Sequence, residues 1–177
     1  MFFQDKISAK MLAREREREL DSNFQTELIR MPAVTIVQAS LDHIEVVLPL
    51  FDSYRQFYDQ PPSVEQVRRF LTERLTANES VVFLALSDGV GVGFTQLYPS
   101  FSSLSMKRLW ILNDLFVAAT ARKQGVGEAL LERARQFALE TNAQGLILET
   151  GADNPARKLY ERLGWKRDAT LHYFLNV

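Results

Sequence analysis

Two glycines one residue apart, preceded by two cations, make the stretch of this chain best suited to chemistry: Arg122-Lys123-Gln124-Gly125-Val126-Gly127. The residues before it, Leu115-Phe116-Val117, have strand character and those after it a helical period, so the glycines fall in a strand-to-helix turn. The first amides of a helix have no intrahelical acceptors, the helix dipole places partial positive charge there, and glycine lets a ligand come close to the backbone. A pyrophosphate satisfies several such donors together, with Arg122 and Lys123 adding formal charge at the rim. Two nucleotide loops do not fit. The P-loop needs Gly-Lys-Ser/Thr at the helix start, whereas Gly127 is followed by Glu128, which repels a γ-phosphate and offers no hydroxyl to magnesium. The dinucleotide fingerprint needs a third glycine where this chain carries Leu130.

Composition narrows the chemistry further. The 177 residues are 46% hydrophobic and 24% charged, which suits one globular domain with a sizeable core. A net charge of −1 supplies no global basic field for nucleic acid or an anionic membrane, so neither is expected as a partner and any acidic ligand must be held locally. The absence of cysteine removes disulfides, thiolate metal sites, redox pairs and a cysteine nucleophile. Two isolated histidines, His43 and His172, do not make a metal cluster, and no metal is expected. No apolar run approaches the length of a membrane span, and Met1-Phe2-Phe3-Gln4-Asp5 lacks the apolar core of a secretory signal, so the expected location is cytoplasmic.

The elements that must position the loop follow from periodicity. Residues 1–30, in which Lys10 to Leu20 alternates Arg and Glu and the apolar anchors are thin, are expected to form a charged helical or disordered arm, with the domain proper spanning 31–177. A strand at Val34-Thr35-Ile36-Val37 precedes a helix over 42–58, stopped by Pro61-Pro62, and a second helix capped by Ser63. Val81-Val82-Phe83-Leu84-Ala85-Leu86 and 90–98 form an antiparallel hairpin about Asp88-Gly89. A serine-rich loop over 99–105 leads to a strand over 109–117. The helix opening at Gly125 leads to a short strand at 145–150, a helix with Asn154-Pro155 at its start and Gly164 at its exit, and a last strand within 169–175. The order is β-α-α-β-β-β-α-β-α-β, an α/β (α+β) fold with a mixed, mostly antiparallel sheet.

Arg122-x-x-Gly125-x-Gly127 after Leu115-Phe116-Val117 resembles motif A of the GNAT superfamily of N-acetyltransferases. The run Asn154-Pro155-Ala156-Arg157-Lys158-Leu159-Tyr160-Glu161-Arg162-Leu163-Gly164-Trp165 is similar to the family's second signature, and the element order agrees over about 34–176. The resemblance implies the GNAT fold and acetyl-CoA as the cofactor. Leu115, Phe116 and Val117 would pair with the pantetheine arm, and the backbone of Gln124, Gly125, Val126, Gly127 and Glu128, beside Arg122 and Lys123, would hold pyrophosphate. Asn154, with Arg157, would reach the pantetheine region, and splaying of the next strand would open a slot for the thioester. Tyr160 would stand beside the sulfur as the general acid, a phenol near pKa 10 being a feasible donor to a departing thiolate. Asn154 alone is equally well a helix cap, and Tyr160 alone a core aromatic.

An acceptor amine must lose a proton before it attacks. Asp114 and Glu149 are the candidate bases; strand alternation sets Asn113 and Asp114 on opposite faces, so at most one points into the slot. Leu112-Asn113-Asp114-Leu115-Phe116-Val117 is similar to the Glu-Asp segment of spermidine/spermine acetyltransferases, with Asn113 where they carry the glutamate, which leaves the base unassigned. Without cysteine, direct transfer in a ternary complex is expected. For the acceptor, Asp52, Tyr54, Tyr58, Tyr98 and Asn113 offer carboxylate pairing and aromatic contact to a small cationic amine. The segment 51–58 resembles the fungal histone/polyamine and D-amino-acid acetyltransferases, which points to a small-molecule amine, a polyamine or amino acid. A protein-directed acetyltransferase and a non-catalytic acyl-CoA sensor are the alternatives. A homodimer, common in the family, draws little support from the arm's thin apolar stripe.

Overall fold

The computed structural model describes residues 34–169 and 171–177; the arm expected over 1–30 lies outside the described residues. Strands β1 (Val34–Gln38), β2 (Val81–Ser87), β3 (Val90–Ser102), β4 (Lys107–Val117) and β5 (Gly145–Ile147) form one sheet in sequential order. Helices α1 (Ile44–Phe57) and α2 (Val64–Thr76) join β1 to β2, α3 (Val126–Glu140) joins β4 to β5, and the short α4 (Arg157–Arg162) follows β5. The first four strands pair antiparallel, and β5 lies parallel to β4. The mixed, mostly antiparallel sheet flanked by helices is the expected architecture.

Each face of the sheet carries its own core, and alternation along β2 divides them. Val82 and Leu84 pack beneath α1 and α2 with Val47, Leu48, Phe51, Val67, Leu71 and Phe94, while Phe83 and Ala85 pack with Leu97, Trp110, Leu130 and Ala134 of the α3 side. Both helix stripes have the spacing that buries one face, Ile44, Val47, Leu48 and Phe51 in α1 and Val126, Leu130, Leu131, Ala134 and Ala138 in α3. Asp88 (φ 49°) and Gly89 (φ 80°) both adopt the left-handed conformation, the backbone of a two-residue hairpin turn between β2 and β3.

Several elements differ from expectation, and β5 stops at Ile147 instead of running to 150. β3 runs on through Pro99 to Ser102, absorbing half of the serine-rich stretch, because β4 offers partners for it as far as Ser102↔Lys107. The last helix begins at Arg157 rather than Pro155, since the Asn154 side chain closes a turn of its own ahead of it. The strand expected within 169–175 is not formed: the described residues there are irregular, with Leu171, Tyr173, Phe174 and Leu175 exposed. Their apolar pattern resembles a strand, but a strand needs a paired edge, and none of the five strands pairs with this segment. Among the described residues no helix is long and apolar enough to cross a membrane.

Candidate active site

β4 ends at Val117, a 3-10 turn (Ala119–Ala121) follows, and the chain reverses through two left-handed residues, Lys123 (φ 63°) and Gly125 (φ 81°), into α3. Gly125 is the N-cap and brings no capping side chain, so the amides of Val126, Gly127 and Glu128 face outward without a side-chain acceptor. Two polar side chains brace this loop: Arg122 Nε donates to Val117 O (3.1 Å) and Gln124 Nε2 to Thr120 O (2.8 Å). Lys123 stands exposed at the rim. Glu128, a negative charge in the first turn of α3, is met by Arg162 at 2.8 Å, and that hydrogen bond holds its carboxyl below the usual range. Gly127 has a different reason to be small, since a Cβ there would stand 3.3 Å from Leu159 Cδ2 of α4. Outward-facing backbone amides at a helix start are chemically suited to an anion.

Beside it the sheet opens. The β4–β5 ladder covers only Leu109↔Gly145, Trp110↔Leu146 and Ile111↔Ile147, whereas β4 continues to Val117. Past Ile111 the β5-side edge of β4, including Leu115, Phe116 and Val117, has no strand partner among the described residues. Tyr160 of α4 is 9% exposed and packs its ring 6.0 Å from Trp165, and burial, then the nearby Tyr58, pushes its phenol up. Asn154 is fully engaged, Nδ2 on Thr150 Oγ1 (2.9 Å) and Oδ1 on the Ala156 amide (2.9 Å). Arg157 bonds Ala152 O and lies 3.7 Å from Glu161.

On the α1–α2 side the opening meets a pocket of about 460 Å³. A bulge in β4 makes it. Gln96 faces Asp114 and Leu97 faces Leu112, leaving Asn113 as the extra residue. Trp110 and Leu112 before the bulge face the α3 core, as do Leu115 and Val117 after it, so parity inverts at Asn113 and Asp114 turns to the α1–α2 face with Phe116. This corrects the opposite-face expectation: Asn113 and Asp114 line the same pocket, and Asn113 Nδ2 lies 3.2 Å from both Asp114 carboxylate oxygens. Asp114 is 4% exposed. Burial raises its pKa, opposed by hydrogen bonds from the Tyr54 hydroxyl and from Asn113. Tyr54 and Tyr98 share the lining, and both phenols are raised by burial and then by the Asp114 charge, Tyr98 to about 12.

The remaining candidates divide. Tyr58, one turn beyond Tyr54 and 5.2 Å from it ring to ring, stands between the pocket side and Tyr160. Asp52 is absent from the pocket lining: its carboxylate accepts the Ser63 amide (2.9 Å) and the Gln56 side chain (2.9 Å), tying the start of α2 to α1. Glu149 is exposed, paired with His172 at 2.9 Å and away from the lining, so Asp114 is the one candidate base in the pocket. Sequence reasoning missed the α2 wall, Gln66, Arg69, Phe70 and Glu73, although their spacing puts them on one helical face. It also missed Gln96, fully buried across from Asp114 with both amide atoms unpartnered, which strand alternation alone could have placed beneath α1 and α2.

The chain is similar to known proteins over most of its length. The sequence model described as Acetyltransferase (GNAT) family matches residues 47–165. The chain is 45% identical over 146 residues to YhfO of Bacillus subtilis (strain 168), an uncharacterized N-acetyltransferase, covering 81% of this chain and 98% of the relative. It is 36% identical over 132 residues to a probable acetyltransferase of Haemophilus influenzae, covering 67% of this chain and 90% of that one. A crystal structure of a probable acetyltransferase superposes with a TM-score of 0.77 at 48% identity, over 81% of this chain and 97% of the other.

Proposed function

The chain belongs to the GNAT acetyltransferase family, whose members move an acyl group from acetyl-CoA, and on that premise we propose that its acceptor is the primary amine of a small molecule, a polyamine or amino acid, bound in the α1–α2 pocket. One observation carries the reading: the β4 bulge delivers a buried carboxylate, Asp114, to the floor of a pocket at the stretch where β4 has parted from β5. The uncapped amides of Val126, Gly127 and Glu128 suit a pyrophosphate, and the unpaired edge of β4 at Leu115, Phe116 and Val117 suits an amide-bearing arm. Arg122 and Gln124 then act by holding the loop's shape, Lys123 by its charge, and Asn154 and Arg157 by fixing the turn ahead of α4.

Acetyl-CoA supplies a thioester whose carbonyl carbon accepts the amine nitrogen and whose sulfur leaves with the electron pair of the broken C–S bond. Asp114 takes the proton that the attacking nitrogen must shed; its raised pKa makes it a better proton acceptor than an ordinary surface carboxylate. Tyr160 gives its phenolic proton to the departing sulfur. Tyr54 orients Asp114, and Asn113 holds both of its oxygens. The absence of cysteine favours this direct transfer in a ternary complex.

Thiol release from acetyl-CoA, measured against polyamines, amino acids of both hands and short lysine peptides, tests the reading alongside Tyr160→Phe. The expected result is turnover on small amines, about 10²-fold lower kcat in the variant, and unchanged calorimetric binding of acetyl-CoA. Turnover confined to peptides would reassign the acceptor. Tight cofactor binding with no turnover on the whole panel would make the protein a sensor.

A further inference from the structure

We propose that the acceptor carries a carboxylate beside its amine, which makes it an amino acid rather than a polyamine; this rests on the small-amine reading above. The pocket presents both signs of charge at different depths. Asp114 lies buried at the floor, where it suits an ammonium or amine. Arg55 and Arg69 stand in the lining on the α1 and α2 sides. Arg55 is committed, with Nη1 on Pro61 O (3.2 Å) and 3.8 Å from Asp52. Arg69 is exposed to the pocket mouth and has no hydrogen bond or ion pair among the described residues. Arg74, five residues further along the same helix, adds cationic charge that reaches the Tyr98 hydroxyl, although its guanidinium is paired with Glu79.

These charges discriminate between the two acceptors. A polyamine meets one carboxylate at the floor, and its remaining ammonium groups must then pass guanidinium groups of like charge, with Glu73 as the one acidic side chain besides Asp114 in the lining among the described residues. An α-amino acid neutralises both ends: its amine goes to Asp114 and its carboxylate to Arg69, whose planar fork matches a carboxylate's two oxygens. The guanidinium left without a partner among the described residues is thus the specificity determinant, and Tyr54, Phe70 and Tyr98 bound the space left for a side chain.

The test compares acceptors that differ only by the carboxylate: alanine of each hand against ethylamine, and ornithine of each hand against 1,4-diaminobutane. Each is assayed for kcat/KM and for calorimetric binding in the presence of CoA, with native protein and with Arg69→Glu. The expected result is a preference of about tenfold or more for the amino acid of each pair, reduced by about tenfold in Arg69→Glu, with CoA affinity unchanged. Ethylamine or 1,4-diaminobutane used as well as its carboxylated counterpart, or a preference that survives Arg69→Glu, overturns the inference and leaves the small-amine reading standing. No binding or turnover with any of the amines overturns both.

Discussion

The two halves of the candidate site are built from different materials. The anion cradle is backbone: a left-handed Gly125, three uncapped amides and an unpaired strand edge, all lying between Leu115 and Glu128. The acceptor pocket is side chains, drawn from α1, α2, β3 and β4, and it depends on one unpaired residue, Asn113, to turn Asp114 toward them. A backbone site is specified by local conformation and tolerates change in the side chains around it. A side-chain site is specified by the identity and charge of each residue and by the register of the sheet that holds them. Substitutions should therefore separate the two halves, with the acceptor half losing chemistry and the cradle losing affinity.

Asp114→Asn should separate them most. The variant keeps an oxygen for the Tyr54 hydroxyl but cannot take a proton, and kcat/KM for the amine should fall by about 10²–10⁴-fold while acetyl-CoA binding is retained. In the native enzyme the rate should climb with pH through the raised pKa of Asp114, because only the ionised form is a base, and this limb should vanish in the variant. Stability moves the other way. A carboxyl whose pKa is raised by folding stabilises the fold fully below its unfolded value, and that contribution is lost as pH rises through the folded value. Asp114→Asn should then melt at or above the native temperature at pH 8, with the gap closing toward pH 4. A variant that keeps its activity would move the base elsewhere.

Gly125→Val examines the cradle. A β-branched residue at φ 81° costs about 1–2 kcal/mol, and a loop that relaxes to relieve it no longer presents its amides together. Acetyl-CoA affinity should fall about tenfold or more, whereas kcat at saturating cofactor changes little. Equal affinity in the variant would mean that the amides of α3 do not hold the pyrophosphate.

The same contrast explains what could be read from residues alone. Gly125, Gly127 and the Asn154–Trp165 run are short-range patterns, and the strands and helices that frame them follow from a local period, so the family, the element order up to the last helix and the turn from β4 into α3 are legible in the sequence. The pocket was legible only in part. Tyr54, Tyr98, Asn113 and Asp114 were named, but the bulge that unites the last two arises from how β3 and β4 fit over their whole length, and nothing in Leu112-Asn113-Asp114-Leu115 signals an extra residue. The α2 wall was missed because Arg69 and Glu73 have the polar character of any solvent-facing helical surface until α1 and β4 enclose it. The C-terminal segment failed for the converse reason: alternation was present and a paired edge was not.

Asp52 provides the smallest and most specific test, because residue type alone suggests an amine ligand and the geometry gives it other work. Its carboxylate accepts the Ser63 amide and the Gln56 side chain, so Asp52→Ala leaves two donors unmet and should cost about 1–3 kcal/mol of stability. Loosening the start of α2 also disturbs the wall that Arg69 and Glu73 occupy, so a raised KM in Asp52→Ala alone would not distinguish the two roles. Asp52→Asn does distinguish them. The amide oxygen still accepts the Ser63 N–H but carries no charge. If Asp52 acts by bracing α2, the asparagine should recover most of the lost stability and hold the amine KM within about twofold of native. If Asp52 instead pairs with the amine, the asparagine variant should melt like the native protein while its KM stays as high as in Asp52→Ala.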